Sequence, residues 1–255
     1  MTTTRPNGSL YTKIENKIAT LEFGHPASNS FPAELLERLT QELNLLSHNP
    51  EVSIILLRSE GDKAFCAGAF FDELLAVSNF EEGAIFFSGF ANVINAMRTC
   101  SKLIIGRIHG KAVGGGVGLA AACDYAMATV DSAVKLSEFT IGIGPFVIAP
   151  AVERKVGKAA LAELTLAAHE WKSAYWAQEK GLYAKVFESI ADLDKELDIF
   201  TSKLASYNPE ALNAMKKVLW QGTDNWDMLL PDNAKISGRL VLSDFTKDAL
   251  NKLKG

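Results

Sequence analysis

Apolar positions along this chain switch between strand and helix periods. From Leu10 to Phe23 they outline two short strands about Glu15-Asn16-Lys17, a hairpin. Leu35, Leu36, Leu39, Leu43 and Leu46 then recur at helical spacing, with Pro32 suited to the first turn, Ser30 a cap candidate and Asn49-Pro50 a stop. Val52 to Leu57 is a continuous, largely β-branched run that reads as a buried strand, and Arg58 to Ala69 reads as a loop. Phe71 to Val77 predicts a short helix, and Glu81 to Met97 a longer one with Phe86, Phe90, Val93 and Met97 on one face. A second buried strand, Leu103 to Ile108, leads to Gly114, Gly115, Gly116 and Gly118, and then to a helix-forming segment, Leu119 to Cys123. Asp124 to Thr129 looks like another strand, Ala159 to Ala168 a helix, and Ser173 the cap of one ending at Gly181. Val186-Phe187 is a short strand, and from Leu193 the pattern is helical, with breaks expected near Pro209 and Pro231. Strands alternating with helices predict an α/β architecture whose last quarter is all helix.

Composition narrows the class. The 255 residues are 48% hydrophobic and 22% charged, ordinary for a soluble globular protein, and the length fits one large domain, or one domain with a helical appendage. A formal net charge of -4 gives no electrostatic case for nucleic acid. Cys66, Cys100 and Cys123 are odd in number and widely spaced, which points to a reducing compartment. The N-terminal residues show no secretory pattern, and no apolar run reaches the roughly 20 residues a membrane span requires, so a cytoplasmic location is expected.

The central stretch from Ile104 to Pro145 concentrates the chemistry. Strand, glycine turn and helix follow one another there, and the free N–H groups at the start of a helix favour negative charge. Glu138 follows in an apolar and hydroxylic loop, either as a proton-transfer group or as a paired structural charge. None of His25, His48, His109 and His169 has a second ligand at metal-binding spacing, so no metal is expected. No GxSxG elbow is present, and Cys66 reads as a buried thiol. A rival is the dinucleotide pattern, met by Gly116, Gly118 and Ala121 with Glu138 as the ribose carboxylate, although a strand intervenes before Glu138. Against it, Phe65-Cys66-Ala67-Gly68-Ala69 follows a buried strand and offers a second set of free N–H groups, and two backbone donors from separate loops are what an oxyanion hole needs.

KAFCAGA (Lys63 to Ala69), HGKAVGGGVGLAAACD (His109 to Asp124) and LSEFTIGIGP (Leu136 to Pro145) together resemble the crotonase superfamily of acyl-CoA enzymes, and Ser173 to Leu182 is also similar. The resemblance runs from about Leu10 to about Phe187. It implies a crotonase-like spiral of ββα units over residues 1–192 and a C-terminal helical oligomerisation region over 193–255, building trimers or hexamers. Leu197, Phe200 and Leu204 are apolar positions in that tail which one short domain does not easily bury alone, so a partner surface is expected to cover them. The implied substrate is a CoA thioester, with no separate cofactor.

Position by position, the resemblance gives Ala69 and Gly115 the N–H groups that hold the thioester oxygen, with Ala67, Gly68, Gly114 and Gly118 as neighbouring substrate-binding positions. Glu138 matches the second catalytic glutamate of enoyl-CoA hydratases, while Gly118 stands where those enzymes have the first. Phe70 stands where an Asp usually follows, and GIGPFVIAP is more like the family's isomerases, in which one glutamate suffices. The expectation is therefore double-bond isomerisation. The alternatives are a hydratase with a displaced second acid/base, for which Asp72 and Glu73 are candidates, or a non-catalytic CoA-thioester binding protein.

Overall fold

A computed structural model describes residues 7–254. The chain opens with the antiparallel hairpin β1 (Ser9–Glu15) and β2 (Ile18–Gly24), turned by Asn16 and Lys17 at positive φ. Helix α1 (Ala33–His48) follows, burying the leucine stripe read from the sequence. Its cap differs from the expectation. Pro32 is the N-cap residue, the Ser30 hydroxyl pairs with His25 Nδ1 at 3.2 Å, and the free N–H of Ala33 donates to Glu73 Oε2 at 2.8 Å.

From here the chain repeats one unit three times. β3 (Ile54–Ser59) and β4 (Ala64–Cys66) precede helices α2 (Phe71–Ala76) and α3 (Phe80–Thr99). β5 (Leu103–Ile108) and β6 (Lys111–Val113) precede α4 (Gly115–Ala122). β7 (Tyr125–Thr129) and β8 (Val134–Lys135) precede a 3-10 turn (Glu138–Ile141) and the helices α5 (Ala149–Leu166), bent at Gly157, and α6 (Ala174–Glu179). The first strand of each unit joins a six-stranded sheet of order β1-β2-β3-β5-β7-β9, closed by β9 (Lys185–Phe187) and parallel from β2 onward. The second strand of each joins a small parallel sheet, β4-β6-β8. This is the spiral of ββα units that the resemblance implied.

The parallel strands are buried on both faces, which is why β3 and β5 read as unbroken apolar runs. One face carries Ile55, Leu57, Ile104, Ala126 and Ala128 into the main core. The other carries Ile54, Leu56, Leu103, Ile105 and Met127 against helix α7 (Ile190–Ala205). Leu197 is fully enclosed there, with Phe200 and Leu204 partly buried beside it, so these side chains pack within the chain and need no partner to cover them.

Helices α8 (Pro209–Leu219), α9 (Trp226–Leu240) and α10 (Asp244–Lys254) complete the chain. Pro209 opens α8 as expected, but Pro231 lies inside α9 without ending it. Trp226, Leu230 and Ala234 are buried in the main core, and this packing offsets the backbone bond that Pro removes. Lys216 of α8 reaches Asp124 at 2.7 Å with both side chains enclosed, and Trp220 Nε1 donates to the same carboxylate. α9 crosses α3 where Gly83 meets Gly238, closely enough that a Cβ on Gly83 would stand 2.7 Å from the Gly238 carbonyl oxygen.

Candidate active site

The three strands of the small sheet are parallel, so their C-terminal ends lie at one edge. β4 runs out into Ala67-Gly68-Ala69, β6 into Gly114-Gly115, and β8 into Ser137-Glu138. The topology therefore gathers segments far apart in sequence around one cavity of about 180 Å³, lined by Ala67, Gly68, Ala69, Gly114, Gly115 and Glu138.

Ala69 forms a parallel bridge with Phe31, and its neighbours make the bonds: the Phe31 N–H donates to the Gly68 carbonyl at 2.8 Å and the Phe70 N–H to the Phe31 carbonyl at 3.0 Å. In that pattern the N–H of Ala69 itself points away from Phe31. Gly115 is the first residue of α4, where an N–H has no intrahelical acceptor. Among the described residues neither N–H finds a partner. Gly68, at φ +85, lets the loops meet: a Cβ there would stand 3.0 Å from the Val113 carbonyl oxygen and 3.3 Å from the Gly115 nitrogen. Two unpaired donors at the wall of one apolar cavity can hold an oxygen that gains negative charge.

Glu138 begins the 3-10 turn, and its carboxylate lies over Gly114. A Cβ at Gly114, where φ is +52, would come within 2.9 Å of Oε1, so this position has no room for a side chain. Oε2 is enclosed and has no hydrogen-bond partner. Burial penalises the charged form and pushes the carboxyl up to about 7, only partly countered by its own backbone N–H. The reading of Glu138 as a paired structural charge is thus not met. It is the one ionisable side chain among the described residues lining the cavity.

Gly118 does not line the cavity. Ile148 fills its place: a Cβ on Gly118 would lie 2.5 Å from Ile148 Cγ2 and 2.8 Å from Ile148 Cβ. Ile148 itself lines the cavity, so an aliphatic group occupies the position where a second carboxylate was considered. Asp72 is exposed and Glu73 caps α1, so neither stands in for the missing acid. The dinucleotide reading also fails. Gly116 presses on the carbonyl of Cys66 inside the buried helix α4, leaving no open phosphate turn. Cys66 is enclosed with its thiol raised to about 12 by burial. His109, lowered to about 4 by burial and by Arg107, is bonded to Arg107 away from the cavity.

Residues 13–250 match the profile of the enoyl-CoA hydratase/isomerase family. The chain belongs to that family, within the crotonase superfamily. A probable enoyl-CoA hydratase of Bacillus subtilis (strain 168) is 26% identical over 239 residues, covering 93% of this chain and 92% of the relative. A peroxisomal Delta(3,5)-Delta(2,4)-dienoyl-CoA isomerase of Arabidopsis thaliana is 29% identical, covering 88% and 84%. The crystal structure of an enoyl-CoA hydratase from Bacillus halodurans has the same fold, with a TM-score of 0.88 at 20% identity over 95% of this chain and 99% of that one.

Other parts of the cavity lining come from elements that the site motifs do not mark. Phe71 and Leu74 of α2, Phe86, Phe87 and Phe90 of α3, and Ser237 of α9 also line it, with the Phe90 ring packed against Gly115. Only Phe86 and Phe90 stood out beforehand, as core positions of a helix. Ile148 falls within the GIGPFVIAP segment but was not singled out in it, and Ser237 carried no sequence signal.

Proposed function

We propose that this enoyl-CoA hydratase/isomerase family member shifts the double bond of an enoyl-CoA thioester. The Ala69 and Gly115 N–H groups would hold the thioester oxygen, and Glu138 would move the proton. The proton α to a thioester is only weakly acidic. Holding the enolate oxygen in a dry site with two fixed donors lowers the barrier by roughly 3–4 kcal/mol per donor. Glu138 takes the proton from C2 of a 3-enoyl thioester, the electron pair spreads to the oxygen, and the same proton returns at C4 as the double bond moves to C2–C3. Nothing is gained or lost, so one carboxylate is enough.

The observation that carries this reading is that Glu138, its Oε2 without a partner, is the one ionisable side chain lining the cavity among the described residues, while Ile148 rather than a second acid packs against Gly118. Hydration would also require a water to be held and deprotonated while another group supplies the α-proton. The hydratase reading stays as the second, favoured by the names of relatives such as the Bacillus subtilis protein. The deciding experiment incubates the protein with matched 3-enoyl- and 2-enoyl-CoA thioesters and identifies products by mass and NMR. Double-bond migration without mass change is expected. A 3-hydroxyacyl-CoA as the main product would replace isomerisation by hydration. Tight binding with no product from either substrate would leave a thioester-binding role instead. By the same likeness, we propose a trimer or hexamer as the working assembly.

A further inference from the structure

Ser237 lies on α9, far along the chain from every site motif, yet it lines the same cavity as Glu138. It is 1% exposed, and its hydroxyl has no hydrogen-bond partner. That is not the habit of helix hydroxyls in this chain. Thr40, Ser88, Thr99, Thr165 and Thr201 each donate to the carbonyl four residues back, at 2.7 to 2.9 Å. A buried hydroxyl that declines this local bond is left for something else, because an unmet polar group in an apolar wall is costly.

The surroundings say what that something is. Besides Ser237 the cavity is lined by Phe71, Leu74, Phe86, Phe87 and Ile143 among other apolar groups, and Ser137, next to Glu138 in sequence, brings the other hydroxyl. No lysine, arginine or histidine lines it among the described residues. A chain ending in a carboxylate would therefore be desolvated without a counter-charge and would face Glu138. A pure hydrocarbon would leave the Ser237 hydroxyl unpaired. The volume of about 180 Å³ is close to the roughly 150 Å³ of a cavity that accepts benzene, so a compact acyl group fits it.

We propose that Ser237 is a specificity-determining residue that hydrogen-bonds an uncharged oxygen on the acyl group, so that the cavity selects compact hydroxy-, oxo- or ether-bearing acyl chains over hydrocarbon and carboxylate-ended ones. This rests on the acyl-CoA reading above.

The test uses saturated thioesters, which cannot react, so that binding is read without turnover. A series of ω-hydroxyacyl-CoAs of about four to six carbons, matched to the cavity's bulk, is compared with hydrocarbon and carboxylate-ended counterparts by calorimetry, on wild type and Ser237→Ala. The variant removes no existing hydrogen bond and is expected to fold, which near-UV circular dichroism checks. For wild type the best hydroxylated member is expected to bind about tenfold tighter than its hydrocarbon counterpart, with the carboxylate-ended one weakest. In Ser237→Ala the hydroxyl preference disappears, and Ser237→Thr restores part of it. Equal preference in wild type and Ser237→Ala, or tightest binding of the carboxylate-ended series, overturns the Ser237 proposal alone. If no acyl-CoA binds at all, the acyl-CoA reading itself falls, and this inference with it.

Discussion

Glu138 carries two opposed effects that one substitution separates. Its carboxyl is raised from 4.5 to about 7 by burial, so the folded protein holds a proton there that the unfolded chain has released between those values. That term supports folding below about 4.5 and is lost as the pH rises through about 7. Glu138→Gln, neutral at every pH, should therefore be more stable than wild type at pH 8, by on the order of 1–3 kcal/mol, with the gap closing under acid conditions. Urea unfolding at both pH values measures it, and a variant less stable at pH 8 would contradict the buried, unpaired carboxylate. The same variant should lose about 10² to 10⁴ in rate while retaining acyl-CoA binding, because an amide cannot act as a base. The wild-type kcat/KM should rise with pH through about 7, the value set by burial, since the base works only when deprotonated. Ala69→Pro removes a backbone donor outright and should cost about 10² or more in rate in a protein shown by circular dichroism to be folded. That Glu138, Ala69 and Gly115 meet at one cavity was legible because each sits in a short motif on which the family resemblance rests. Ser237 was not, because a lone serine in a helical pattern reads the same whether it meets solvent, a carbonyl or a substrate.

At the scale of elements, what the chain concealed was the small sheet. β4, β6 and β8 are three, three and two residues long, too short to show an alternating period, and Lys63 to Ala69 reads as loop. Yet this sheet aligns the three site segments. The occupant of the Gly118 site was hidden for a related reason, since only tertiary packing brings Ile148 of the next unit there. This changes the outcome expected for Gly118→Glu. The single substitution drives a side chain into Ile148 and should cost at least about 1–3 kcal/mol by overpacking. Gly118→Glu with Ile148→Ala has room for the carboxylate, should fold, and should raise hydration relative to isomerisation on one enoyl-CoA series. An unchanged ratio in the folded double variant would refute the argument that the lone glutamate limits the reaction. The α3–α9 crossing offers a second test. Gly83→Ala sets a methyl group against the Gly238 backbone, which cannot swing aside, and about 1–3 kcal/mol of stability should be lost. Because Phe86, Phe87 and Phe90 stand on one helix and Ser237 on the other, KM for the acyl-CoA should rise as well.

On the scale of the whole molecule, the C-terminal helices serve the chain's own core before any partner. An apolar helical stripe looks alike in sequence whether it faces its own sheet or another chain, which is why Leu197, Phe200 and Leu204 suggested an interface and instead cover β3, β5 and β7. The assembly expectation therefore moves to other residues. On α8, Met215, Val218 and Leu219 are 51%, 52% and 43% exposed and share one helix face, since residues three and four apart are neighbours. Lys216, by contrast, turns inward to Asp124 and anchors that helix to the core, so the outer face is held rigidly. An anchored face with three large apolar side chains in water is what contact with a second copy would cover. Sedimentation at micromolar concentration should give a trimer or hexamer. Met215→Asp with Val218→Asp should shift it toward monomer while far-UV circular dichroism stays unchanged, because both side chains are already outside the core. A wild-type monomer would end the assembly proposal. An unaltered oligomer in the double variant would keep the assembly and move its interface away from α8.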